Sequence, residues 1–493
     1  MDRKSGILLP MSALPSPYGI GTMGKSAYRF IDFLKAAGQS FWQLLPLGPT
    51  SYGDSPYSAF SSFAGNPYFI DLDLLVKDKL LKPSEIRDRD WGADPERVDY
   101  AKIYQERFRV LRLAFQRGRV RYSGEITAFR RENAGWIENY ALYMAVKAGF
   151  DMVSWTEWPD EGIRLHRQDA VERYREQYRE DIEFWVFCQF LFFRQWNALR
   201  AYAHEQGIRF IGDVPIYVAL DSADVWAERQ FFQLSQDGVP SEVAGVPPDA
   251  FTEDGQLWGN PLYDYDAMKA DGFGWWIRRV EGASRLYDTI RIDHFRGFES
   301  YWAVPFGDST AKRGHWKPGP GMDLVGVLTS WFHDLDFIAE DLGYTTPEVA
   351  KLLADSKLPG MKILEFGFDP KGNSDYMPHN CVWNSVCYVG THDNEVVNGW
   401  IRHTDKATLR YAREYMHITP DESWCAAMLR TGMATGSKLF VMQMQDVLEL
   451  GEESRINCPG TLGGNWQWRM LPEAADKKLA KRLRKLTETY RRL

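Results

Sequence analysis

Eight short apolar runs recur along the chain, each followed by polar residues and most separated by stretches of helical period: Gly6 to Pro10, Ser40 to Pro49, Ile208 to Val218, Asp288 to His294, Asp336 to Asp341, Met361 to Phe366, Ser385 to Asp393 and Lys438 to Met444. Continuous apolar runs of this length read as strands buried on both faces, and strands alternating with helices build a parallel sheet. Eight of them with polar carboxyl ends describe a (β/α)8 barrel better than an open doubly wound sheet. No GxGxxG follows a strand, so a dinucleotide fold has no support. The 493 residues suffice for one large barrel with insertions.

The first strand, a Pro/Gly-rich loop, an amphipathic helix from about Ser26 to Ala37 and the second strand form a βαβ unit. The loop that follows, Ser51 to Leu72, carries six aromatics among Gly, Ser and Pro, and loops at the carboxyl end of barrel strands are where this fold keeps its site. From 74 to 206 the composition shifts to long charged helical stretches with no convincing strand, which reads as a helical insertion with solvated faces. The expected organisation is 1–73 as the barrel start with its aromatic loop, 74–206 as the insertion, and 207–493 as the rest of the barrel. That last part includes an active-site loop at 244–266 and a closing basic helix, and no carboxyl-terminal β domain follows the eighth strand.

A net charge of −8, from 59 basic and 67 acidic residues, argues against nucleic acid or an anionic membrane as the main partner. Aromatic residues make up 14% of the chain, and flat rings are what sugar faces stack on, although packing is the default role for most. Five cysteines without a CxxC indicate neither a disulfide framework nor a zinc knuckle, and a reducing cytoplasm is the simplest home. The opening residues are too short in apolar content for a secretory signal, and no run reaches the length of a membrane span.

The chemistry concentrates at three strand ends. Ile290 and Ile292 alternate with Arg291 and Asp293, which puts the two polar side chains on one strand face about 7 Å apart, where the arginine holds the carboxylate ionised. A buried structural Arg/Asp pair has the same spacing. Glu340 in IAEDLG and Asp393 in GTHDN occupy two further strand ends, and in a barrel those ends converge. Two carboxylates flanking an acetal, one nucleophile and one acid then base, are the minimum for glycoside chemistry, and a third can stabilise the positive charge at the anomeric carbon. A single acid at a strand end is more often a cap or a structural residue. No HExxH or EF-hand spacing indicates a metal, and displacement at an acetal needs no organic cofactor, so none is expected.

These segments resemble the α-amylase clan, and the full set is similar to the 4-alpha-glucanotransferases of glycoside hydrolase family 77. GDVPIYV resembles the first conserved region, with Asp213; TIRIDHFRG the second, with Arg291 and the nucleophile Asp293; IAEDLG the third, with the acid/base Glu340; GTHDN the fourth, with His392 and Asp393. YGDSPYSAFSSFAGNPYFIDL and AGVPPDAFTEDGQLWGNPLYDYD are more specific to the glucanotransferases. The resemblance implies an enzyme that moves a segment of an α-1,4-glucan to the 4-hydroxyl of an acceptor through a covalent glycosyl-enzyme, with maltooligosaccharides as partners. It also implies substrate contacts from Tyr57 and Ser55 in the DSPY turn, from Asp213, Arg291, His294 and His392, and from Asp249, Phe251, Trp258 and Asn260. Tyr52 and Tyr100 would form a more distant glucan platform. A packed surface loop explains WGNP equally well, and each histidine also fits a satisfied core residue. Long bacterial members carry an extra amino-terminal region; this chain begins almost on its first strand and resembles the short form. A hydrolase on the same site, or a silent glucan-binding barrel, are the rival readings.

Overall fold

Twelve strands are found among the described residues: β1 Lys4–Leu8, β2 Phe41–Gln43, β3 Arg209–Val214, β4 Glu242–Val246, β5 Gln256–Pro261, β6 Thr289–Ile292, β7 Ser300–Pro305, β8 His315–Pro318, β9 Asp336–Ala339, β10 Gly360–Ile363, β11 Ser385–Tyr388 and β12 Leu439–Gln443. The structure, a computed structural model, describes residues 3–51, 53–248, 252–343, 345–461 and 463–493. Tyr52, Asp249 and Phe251 therefore lie outside the described residues.

Eight strands close a parallel barrel in the order β1-β12-β11-β10-β9-β6-β3-β2, and each of the eight apolar runs supplies one of them. Proline trims the second and third runs. Pro46 and Pro49 lie beyond β2, and Pro215 directly follows the last residue of β3; proline has no N–H to give to a ladder. Side chains alternate as a strand requires. Leu8, Ile211, Ile338, Val386, Leu439 and Val441 pack inside the barrel, while Ile7, Phe210, Phe337, Cys387, Phe440 and Met442 pack outward under the helices. On β6 it is Ile290 and Ile292 that face outward. Arg291 takes the inward parity, paired in register with Asp213 of β3 on one side and Ile338 of β9 on the other.

Among the described residues between β2 and β3, every regular element, from Pro67–Phe69 onward, is a helix. The last of these helices, Arg179–Glu205, belongs to the barrel wall: it packs on β3 and between helices Lys25–Ala36 and Gly274–Leu286. Two other helices of the region, Tyr100–Arg121 and Ile137–Gly149, pack against that helix. Trp155, Trp158, Trp196, Trp226, Trp275 and Trp276 are fully buried, so much of the aromatic excess goes to packing. The basic helix Lys477–Thr489 closes against Lys25–Ala36. No described helix is long and apolar enough to cross a membrane.

The expected loop at 244–266 is a correction. Strands β4 and β5 pair antiparallel within a four-stranded sheet ordered β5-β4-β7-β8. Glycine and proline density reads as loop, yet here Gly259 adopts a left-handed φ of 78° within β5, an edge strand that tolerates such breaks.

Candidate active site

The site is built by strand register. Asp213 and Arg291 are paired Cα neighbours on β3 and β6, and Ile292 pairs with Ala339 on β9, so the next residues of those strands, Asp293 and Glu340, emerge side by side at the carboxyl end of the barrel. Adjacent strands lie about 4.8 Å apart. The backbone holds this junction: Asp293 N–H donates to Val214 O at 3.0 Å, Glu340 N–H to Ile292 O at 3.0 Å, and Phe295 N–H to Glu340 O at 2.9 Å.

Arg291 is the electrostatic hub. Its Nη1 donates to both oxygens of Asp213 at 2.7 Å and to Oδ1 of Asp293 at 2.9 Å. Burial alone would weaken its hold on the proton, but Asp213 and Asp293 outweigh that and place its pKa well above the ordinary arginine value. Asp213 is fully enclosed, whereas Asp293 keeps 24% of its side-chain surface exposed, so of the two carboxylates on this arginine only Asp293 can be reached.

Glu340 has a different environment. Its Oε2 accepts from His294 N–H at 2.7 Å and its Oε1 from Leu342 N–H at 2.8 Å. Burial, joined by the charge of Asp293, pushes its pKa up to about 7 against the opposing pull of Arg291 and the two amides. Two carboxylates side by side with environments this unlike are suited to different roles. The His294 amide that donates to Glu340 comes from left-handed backbone, φ 51° and ψ 48°, an uncommon state for a residue with a side chain and one that gathers at functional sites. Burial drives the His294 imidazole down to about 4 despite Asp293, so it is neutral at physiological pH, with the Trp258 ring edge-on at 4.8 Å.

Asp393 lies past β11. Burial raises its pKa, but His392 Nε2 at 3.2 Å and Asn457 Nδ2, donating to Oδ1 at 2.6 Å, more than compensate and hold it at about 2. Arg455 fixes the same residue through its carbonyl at 2.9 Å. Asp393 in turn raises His392 against its burial. The His392 ring stacks on Tyr57 with centroids 5.0 Å apart and planes 15° from parallel, and Trp466 adjoins both. The Tyr57 hydroxyl donates to Asp213 at 2.5 Å, which ties the aromatic floor to the arginine hub.

The structure thus gathers Tyr57, Asp213, Arg291, Asp293, His294, Glu340, His392 and Asp393, with Trp258 beside His294. Ser55 stands one step back, its Oγ accepting from Tyr57 N–H at 3.2 Å to set the turn. Asn260 donates to Val218 O at 2.9 Å and pins β5 to the loop after β3. Tyr100 is partly buried and donates to Trp466 O at 2.8 Å, so its hydroxyl is engaged in bracing that ring. Arg455, Asn457 and Trp466 come from a segment that the reading of the sequence passed over. Its signal was present in the Gly-, Pro- and Trp-rich run CPGTLGGNWQW, of the same composition as the aromatic loop after β2.

With Glu340 titrating near 7, a reaction that needs its proton should lose rate as pH rises through neutrality. The expected result is that kcat/KM on an unactivated glucan falls on the alkaline side with an apparent pKa near 7, and that this limb weakens for a donor whose leaving group needs no proton. An alkaline limb identical for both donors would contradict the assignment.

The chain is similar to known proteins over nearly its whole length. The family described as 4-alpha-glucanotransferase matches residues 9–474. The 4-alpha-glucanotransferase of Streptococcus pneumoniae is 47% identical, covering 100% of this chain and 98% of its own length, and that of Thermus thermophilus is 44% identical over 100% of both. Among solved structures, amylomaltase from Streptococcus agalactiae in complex with acarbose superposes with a TM-score of 0.97 at 42% identity, covering 99% of each chain. The family match and these relatives lead to one assignment: the chain belongs to the 4-alpha-glucanotransferase family and is an enzyme of that activity.

Proposed function

We propose that this enzyme cleaves an α-1,4-glucan with retention and hands the glycosyl segment to the 4-hydroxyl of a second glucan or glucose, using Asp293 as nucleophile, Glu340 as acid then base, and Asp393 to stabilise charge. The observation that carries this reading is the pairing of Asp293 and Glu340 on adjacent strand ends, one reachable beside Arg291 and the other buried with a pKa of about 7. A separation of about 5 to 5.5 Å suits retention, and adjacent strands are spaced to give it. In the first step an Asp293 oxygen forms a bond to the anomeric carbon as the bond to the leaving 4-oxygen breaks, and Glu340 gives that oxygen its proton. In the second, Glu340 takes the proton of the acceptor hydroxyl, whose oxygen bonds to the anomeric carbon as the ester to Asp293 breaks. Asp393, held ionised by His392 and Asn457, opposes the positive charge of both transition states. The Tyr57 ring offers a stacking face, and Asp213 holds Arg291 in place.

The acarbose complex of the Streptococcus agalactiae enzyme supports an oligosaccharide-binding cleft here. The five free cysteines support a reducing compartment, the cytoplasm. No resident metal or organic cofactor enters the steps above. Incubation with maltotriose tests the reading: transfer yields glucose and a ladder of longer maltooligosaccharides, whereas glucose and maltose alone would mean hydrolysis.

Transfer succeeds only where sugar reaches the glycosyl-enzyme ahead of water. Strand β5 carries Trp258, 37% exposed and edge-on to His294, in position to supply an apolar acceptor surface and displace solvent. Trp258→Ala should therefore weaken acceptor use more than donor cleavage and raise the hydrolysis-to-transfer ratio several-fold, read as free reducing ends against transferred glucose. An unchanged ratio in a well-folded variant would remove Trp258 from this role.

A further inference from the structure

Asp393 stands on a turn past β11, closed by the Asn394 N–H donating to Thr391 O at 3.1 Å, and what orients its carboxylate comes from the segment after β12. Asn457 is the direct contact, and its backbone is held on both sides: its N–H donates to His392 O at 3.2 Å, and its carbonyl accepts from Arg455 Nε at 2.8 Å. The Arg455 guanidinium directs its other two nitrogens at the turn itself. Nη2 donates to Asp393 O at 2.9 Å and Nη1 to Glu395 Oε1. Arg455 thus ties positions 393, 395 and 457 together through two carbonyls and one neighbouring carboxylate, while the Asp393 carboxylate is left to Asn457 and His392.

Glu395 is the fixed end of this tie. Gln443, the last residue of β12, donates through Nε2 to Glu395 O at 3.1 Å. The Glu395 Oε2 is buried, without a hydrogen-bond partner among the described residues, against helix Val397–His403, where a Cβ at Gly399 would come within 2.5 Å of it. Glycine there leaves the carboxylate its room. His403 Nδ1 on the same helix lies 3.4 Å from Oε1. A carboxylate held between a barrel strand and a helix fixes the guanidinium, and the guanidinium fixes the Asp393 turn and Asn457. Three acceptors arranged around one planar fork form a pattern that a lysine ammonium does not reproduce.

We infer that Arg455, anchored by Glu395, is a positioning residue that holds Asp393 and Asn457 in the arrangement in which the Asp393 carboxylate opposes the charge of the transition state. This rests on the role given to Asp393 above, and the test separates the two. Arg455→Met, Arg455→Lys, Glu395→Ala and Glu395→Gln are assayed for kcat and KM on maltotriose. Arg455→Met is also made in an Asp393→Asn background, and both backgrounds are compared with a maltooligosaccharyl fluoride, whose easy departure keeps residual rates measurable. The expected result for Arg455→Met is a fall of about 10- to 100-fold in kcat with KM within about threefold, because the misplaced carboxylate is missed in the transition state and not in binding. Arg455→Lys should recover little of this, since it keeps the charge and loses the fork. Glu395→Gln, which can still accept from Arg455, should stay within about threefold, whereas Glu395→Ala should fall about tenfold.

In the Asp393→Asn enzyme, removing Arg455 should cost less than about twofold, because no carboxylate remains to be positioned. Equal losses in the two backgrounds would overturn the inference and make Arg455 a packing residue, and full activity in Arg455→Lys would overturn it in favour of charge alone. Should Arg455→Met not fold, Glu395→Ala in the same two backgrounds gives the same decision from the other end of the tie. If Asp393→Asn by itself kept most of its activity, the role of Asp393 would fall, an outcome distinct from equal losses on top of a large Asp393→Asn defect.

Discussion

Asp293→Asn is expected to lower turnover by about four orders of magnitude or more while the barrel stays folded. The amide keeps the shape of the carboxylate, and its carbonyl oxygen can still accept from Arg291 Nη1, which retains both oxygens of Asp213 at 2.7 Å. What is lost is the anionic oxygen that bonds to the anomeric carbon. Arg291 also loses one of its two counterions in a buried position, so a modest fall in melting temperature is expected alongside. Activity on maltotriose, with the melting curve as control and deamidation excluded by mass, checks this. Retention of more than a few per cent of activity in that variant would refute Asp293 as nucleophile.

Glu340→Gln is expected to lose about 10²- to 10⁴-fold on natural glucans, the range that a positioned acid/base supplies. This substitution has a structural cost that Asp293→Asn lacks. Both oxygens of Glu340 accept from backbone N–H groups, so a glutamine must turn its NH₂ toward either His294 or Leu342 and leave one buried donor unpaired, at about 1–3 kcal/mol. Glu340→Ala removes the same proton but leaves both the His294 and the Leu342 amide without an acceptor, so the two variants should agree in rate while differing in melting temperature. With a glycosyl fluoride, whose leaving group departs without a proton, the first step should recover in both and the second should remain slow. Disagreement between the variants on the fluoride would show that packing, not proton transfer, limits them.

The parts of this account that were legible in the sequence are those written in side-chain period. The eight barrel strands are short apolar runs, and the alternation of Ile290 and Ile292 with Arg291 and Asp293 already puts the two polar residues on one face. The antiparallel sheet was not legible, because EVAGV, QLWGNP and HWKP carry neither a clean alternation nor an apolar run, and β5 and β8 contain glycine or proline that reads as loop. Their pairing depends on β7, some forty residues after β5, and such register is set by contacts that a linear pattern does not record. The left-handed turn at His294 was only weakly signalled: histidine is enriched at positive φ, and His166 and His417 adopt it here too, but nothing in the sequence singles out the histidine whose turn aims the amide that holds Glu340. Asn457 and Arg455 act on Asp393 from more than sixty positions away, and nothing in the spacing of GTHDN points to them.

The central claim is that one carboxylate attacks and its neighbour moves the proton, and the glycosyl-enzyme is its most direct witness. Glu340→Ala should be mixed with a maltooligosaccharyl fluoride, quenched, digested and examined by mass spectrometry. The account predicts a glycosyl adduct on the peptide containing Asp293, accumulating because the second step lacks its base, and released when azide, a nucleophile that needs no base, is added. Cleavage of the fluoride with no adduct on Asp293, or with the adduct on Asp213 or Asp393, would contradict it.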